Sequence, residues 1–75
     1  MVALPALKPK QVLRALRRAG FHIHHQTGSH VRLFHKTKSH LRVTIPIHSR
    51  DIPRTTLFRI VKQAELSKKE FLKYL

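Results

Sequence analysis

The spacing of apolar residues changes period twice along this chain, and that change limits the folds open to it. From Lys8 to Ala19, the residues Val12, Leu13, Leu16 and Ala19 recur at helical intervals and form one apolar stripe. Pro9 suits the first turn of such a helix, where its missing N–H is not needed. Gly20 suits the left-handed position that closes it. The period then falls to two. Phe21 and Ile23 alternate against His22 and His24, and Val31 and Leu33 against His30, Arg32 and Phe34. Leu41, Val43 and Ile45 alternate in the same way against His40, Arg42 and Thr44. Each segment is predicted as a strand with one apolar face and one polar, basic face. Thr27-Gly28-Ser29 can turn a hairpin, with Gly28 supplying positive φ if the turn needs it. Residues 36–39 make a second polar connection, Pro46 stops the third strand, and residues 47–52 form an irregular link. Beyond Pro53, helical spacing returns with Leu57, Ile60, Val61 and Ala64. Ser67-Lys68-Lys69-Glu70 then has the form of a capping box, opening a short helix that carries Phe71, Leu72 and Leu75.

The order helix, three strands, helix, short helix is an α+β arrangement of two layers. Three antiparallel strands with both main helices on the apolar face leave the His- and Arg-rich face open. Residues 8–75 form a single domain, and residues 1–7 read as a flexible N-terminal arm. A chain of 75 residues buries only about 60% of its unfolded surface, and without cysteine it has no disulfide to help. The apolar start, Met1 to Leu7, is too short to span a bilayer and lacks the basic opening of a signal peptide. The expectation is a cytoplasmic protein with no membrane partner.

Charge narrows the partner. Sixteen Lys and Arg against three acids give a formal charge of +13, spread along the whole chain. Such a body favours a polyanion, with RNA, DNA, an anionic membrane surface or an acidic protein as the candidates. The membrane is the weakest of these, because neither main helix pairs a strong basic face with bulky interfacial aromatics. The acids, Asp51, Glu65 and Glu70, are scattered. Scattered acids argue against a two-carboxylate hydrolase and a carboxylate-held magnesium nuclease. No Gly-rich phosphate loop is present, and no cofactor or small-molecule ligand is expected. His22 and His24 share a strand face, as two ligands of a metal would, but no third ligand suggests itself. No metal is expected.

Histidine remains for acid–base work, and the chain has seven. Cleaving RNA requires a proton taken from the 2′-hydroxyl, a proton given to the 5′-leaving oxygen, and cations on the phosphate. An exposed strand histidine is ordinarily just a solvated polar residue. His30 differs in position, because it follows Gly28-Ser29 at a tight turn and shares a face with Arg32. Arg32, Arg42, Lys36 and Lys38 are candidate phosphate contacts, as are Arg14, Arg17 and Arg18 on the first helix. Phe34 would stack on a base or anchor a partner if it lies on the open face, and otherwise plugs the edge of the core. His48, in the link beside Arg50, is a weaker candidate to assist His30.

Gly20-Phe21, Gln26-Thr27-Gly28-Ser29-His30 and Val43-Thr44-Ile45-Pro46-Ile47-His48, in that order, resemble the landmarks of HicA-type toxins. Thr56-Leu57, Ile60, Lys62-Gln63-Ala64, Leu66-Ser67 and Glu70-Phe71-Leu72 are similar to the end of the same family. The resemblance runs from about Lys8 to Leu72. It implies a double-stranded-RNA-binding-like fold, cleavage of mRNA, and neutralisation by an acidic HicB antitoxin. The family's catalytic histidine falls on His30, with Gly28 and Ser29 as its motif neighbours. Glu65 stands where the family has a helix-ending glycine and would extend the helix, and Val31 where it often has a polar residue. The leading reading is a metal-independent ribonuclease with His30 as general acid or base. The rival is a non-catalytic basic RNA-binding module of the same fold.

Overall fold

The change of period is realised element by element. A computed structural model describes residues 3–48 and 50–75 of the chain. Its elements are α1 (Pro9–Arg18), β1 (Phe21–Gln26), β2 (His30–His35), β3 (Arg42–Pro46), α2 (Arg54–Gln63) and α3 (Lys68–Lys73). The strands form one antiparallel sheet in the order β1-β2-β3, so β2 is central. Its fold class is α+β, as expected. Val31, Leu33, Val43 and Ile45 are buried on one sheet face, in one cluster with Val12 and Leu16 of α1 and Leu57 and Ile60 of α2. Phe71 of α3 closes the same core. Arg32 and Arg42 are exposed on the opposite face, with Phe34 half-buried beside them. The helices thus cover one side of the sheet only. Removing Leu33 or Ile60, both fully buried, to alanine would cost about 2–5 kcal/mol through the cavity left behind.

Local chemistry explains the element ends. Gln11 Oε1 accepts from the Lys8 backbone N–H at 2.8 Å, and Pro9 fills the first helical position of α1. Gly20 follows with φ +105°, a conformation that glycine reaches without steric cost. Ser67 and Glu70 form the expected reciprocal cap at 2.9 and 3.0 Å. The Ser67 backbone N–H, and then its hydroxyl, hold the Glu70 carboxyl below the ordinary range. Residues 3–7 form no helix or strand, yet Leu4 and Leu7 are buried. Leu7 O accepts from Ile52 N at 2.8 Å, and Leu4 O from the Arg54 guanidinium at 3.3 Å.

The two turn readings come out differently, the first answered and the second corrected. Gly28 does not have positive φ, so the β1–β2 turn does not need that conformation. Glu65 does not extend α2; it adopts φ 55° and ends the helix as a glycine would. Leu66 N bonds to Val61 O at 3.2 Å and Glu65 N to Lys62 O at 3.0 Å, the paired bonds of a Schellman cap.

His35, the last residue of β2, ties three parts of the fold together. Its Nδ1 accepts from the backbone N–H groups of Thr37 at 3.2 Å and Lys38 at 3.1 Å. With Nδ1 as acceptor, the tautomer these bonds select has its hydrogen on Nε2. Nε2 donates to Ala19 O at 3.2 Å, and the ring meets Phe21 edge-on at 5.0 Å. The end of α1, the start of β1 and the β2–β3 connection are fixed through one imidazole.

Candidate active site

The hairpin between β1 and β2 fixes the backbone of His30. Thr27 N donates to His30 O at 2.9 Å, and the Thr27 hydroxyl accepts from His30 N at 3.1 Å. Ile47 N reaches across from the end of β3 to Ser29 O at 2.7 Å. His30 itself lies opposite Pro46. Its ring is exposed on the open sheet face, with Nδ1 3.0 Å from the Ser29 hydroxyl. Among the described residues, Nε2 has no hydrogen-bond partner. A rigid backbone carries a ring with one nitrogen available to a substrate.

β1 departs from simple alternation. Ile23 pairs with Leu33, but the next pair is His25 with Arg32, so His24 is an extra residue in the ladder. This β-bulge puts His24 and His25 on the open face in succession. His24 stacks flat on Phe34, with ring centroids 3.9 Å apart and planes 8° apart. The Arg42 guanidinium, from β3 on the other side, lies 4.6 Å from the Phe34 centroid. Phe34 does lie on the open face, but both of its ring faces are taken. A base would meet the outer surfaces of His24 or Arg42 instead.

His25 joins His30. Together with Thr27, Arg32 and Thr44 they line a shallow pocket of about 240 Å³. Arg32 sits between its cross-strand neighbours His25 and Thr44, so one guanidinium, two imidazoles and two hydroxyls face the same space. Among the described residues, no carboxylate lines it. Asp51 is 3.5 Å from Lys8, Glu65 is 3.6 Å from His40, and Glu70 caps α3. The chemistry available is proton transfer by imidazole beside a fixed positive charge.

Of the residues singled out from sequence, His30, Ser29, Gly28 and Arg32 converge at this end of β2, whereas Phe34 and its β3 partner Arg42 lie on the same face toward the other end, about 13 Å along the strand from His30. Lys36 and Lys38 lie beyond the other end of β2, roughly 17 Å away at about 3.3 Å per strand residue. His48 lines a different cavity, with Lys10, Leu13 and Ile47. His22 is opposite Phe34, and His24 is held in the stack. Among the described residues no group of three His, Cys, Asp or Glu could hold a metal ion. Sequence reasoning missed His25, Thr27 and Thr44 as pocket residues. Thr27 carried a signal as part of the turn motif and Thr44 as a residue of the polar strand face, whereas His25 carried none.

Residues 9–66 match the family model described as the HicA toxin of bacterial toxin–antitoxin systems. The chain belongs to the HicA toxin family. The matched segment runs from the first residue of α1 past the end of α2, and so contains the whole sheet and His30. Membership makes this a toxin of a toxin–antitoxin system, with an antitoxin as its counterpart. No curated protein matches the chain. No helix among the described residues is long and apolar enough to cross a membrane.

Proposed function

We propose that this HicA-family toxin is a metal-independent endoribonuclease of the cytoplasm, cleaving mRNA with His30 as a general acid or base. The observation that carries the reading is the His30 ring: exposed, backed by Ser29, and facing a pocket that also holds Arg32. Arg32 would offset the charge that develops on the phosphate oxygens, and His30 would move one of the two protons. Gly28 supports the same placement. A Cβ built there meets nothing within 4 Å, and the turn does not need positive φ, so the fold itself gives no reason for glycine. A phosphate lying against the turn supplies one.

The test is cleavage of labelled single-stranded RNA in EDTA by the native chain and by His30→Ala. Loss of His30 is expected to slow cutting by about 10²–10⁴-fold. Equal cutting by both proteins would remove His30 from the mechanism. RNA binding without products from the native chain would favour the non-catalytic binding module.

The antitoxin is proposed to be an acidic protein of the HicB type that covers the open face. Its charge would complement Arg32 and Arg42 while it blocks His30. Charge reversal at Arg32 or Arg42 to Glu should weaken both RNA and antitoxin binding. Unchanged affinity for both ligands would show that they do not share this face.

A further inference from the structure

We propose that His25 is a second catalytic residue, transferring a proton opposite His30 across a phosphodiester held by Arg32. The inference rests on the nuclease reading and extends it from one proton to both.

Topology supplies the first reason. In an unbroken ladder the residue after His24 would turn toward the helices and the apolar core. The extra residue at His24 turns His25 to the open face, directly across from Arg32. Bulges of this kind commonly re-aim a side chain beside a reaction site. Thr27 is bonded across the hairpin to His30, so His25 and His30 are diagonal neighbours on one face. Such neighbours lie about 7–8 Å apart at the backbone, which leaves room for a phosphate between two imidazoles.

The other histidines supply the second reason, because their positions assign them elsewhere. His24 is stacked on Phe34, His22 lies opposite Phe34, and His35 has both ring nitrogens bonded within the fold. His40 is 3.6 Å from Glu65, and His48 lines a separate cavity. Among the described residues, His25 is the one other histidine that lines the pocket with His30.

The chemistry needs two such groups. One neutral imidazole takes the proton of the 2′-hydroxyl as O2′ bonds to phosphorus. The P–O5′ bond breaks in line, and the other imidazole, entering protonated, gives its proton to O5′. The products are a 2′,3′-cyclic phosphate and a 5′-hydroxyl. The two rings exchange protonation states and are reset through water, with no other co-reactant.

The experiment compares the native chain, His25→Ala, His25→Gln and His30→Ala on an RNA with one cleavable site, carrying either oxygen or sulfur at the 5′-bridging position. A thiolate leaves without needing a proton. On the oxygen substrate, loss of either histidine should slow single-turnover cleavage by about 10²–10⁴-fold. On the sulfur substrate, the variant lacking the acid should recover and the variant lacking the base should not. Binding of a 2′-deoxy analogue should change far less than cleavage in each variant. His25→Gln keeps polar bulk at the bulge, so it carries the comparison if alanine disturbs the strand. Native-rate cleavage by His25→Gln, or recovery of both or neither histidine variant on sulfur, would overturn the role of His25 while leaving His30 in place. Failure of the native chain to cut either substrate would overturn the nuclease reading and this proposal together.

Discussion

His30 and His35 are the first and last residues of the same central strand, and each has a glycine beside it, yet the two ends are built for opposite purposes. At the His35 end, Nδ1 and Nε2 both make hydrogen bonds within the fold. Gly20 is required there twice over: its φ is +105°, and a Cβ would come within 2.7 Å of His35 Nε2. At the His30 end, the backbone is clamped but the ring faces a pocket, and a Cβ on Gly28 would meet open space. The same two residue types serve the fold at one end and stand available to a ligand at the other. What separates them is whether the protein has already used their hydrogen-bonding and steric capacity.

The contrast can be broken by substitution. His35→Ala removes bonds to two backbone donors and one acceptor and opens space beside Phe21, so it should cost about 2–3 kcal/mol. Thermal unfolding would read this as a fall of roughly 10 °C or more for a domain of this size. A midpoint unchanged from native would mean that the imidazole staple contributes nothing. Gly20→Ala should cost about 1–2 kcal/mol through its backbone conformation, plus the collision with His35. Repeating that substitution in the His35→Ala background separates the terms, because only the collision should disappear. Additive losses would place the whole cost in the backbone.

Glu65 sharpens the comparison from the other side, since it holds positive φ without being glycine. Glu65→Gly should stabilise the protein by about 0.5–1 kcal/mol, measured by urea unfolding, its exposed contact with His40 being worth little. Destabilisation would mean that the contact outweighs the conformational strain. Gly28→Ala should have the smallest effect on stability, within about 0.5 kcal/mol. It should nevertheless slow RNA cleavage. Native cleavage by this variant would leave Gly28 without a role in holding the phosphate.

How much of this was written in the residues follows the same division. Apolar spacing is a property of the chain itself, so the helices and strands, and Gly20 as the end of the first helix, were legible. The His30 motif was legible through its turn and through its resemblance to the HicA family. The bulge was not. Alternation in β1 ends with His24, since His25 and Gln26 continue the polar run, and only pairing against Leu33 and Arg32 reveals the extra residue that delivers His25. His35 was silent for a related reason, as its partners, Ala19, Thr37 and Lys38, meet it only after the sheet has formed. Phe34 could be placed on the open face by alternation, but His24 and Arg42 cover it through contacts that alternation does not encode. Glu65 carried a misleading signal, because cap geometry overrode a residue type that favours continuing the helix.

The most direct measurement uses an RNA in which the nucleotide at the cleaved bond alone carries hydrogen in place of its 2′-hydroxyl, incubated with the native chain in EDTA. Attack by O2′, with His30 moving a proton, requires that cutting there disappear while binding affinity stays at that of the unmodified RNA. Cleavage of the deoxy position at the native rate would contradict this chemistry and, with it, the role assigned to His30.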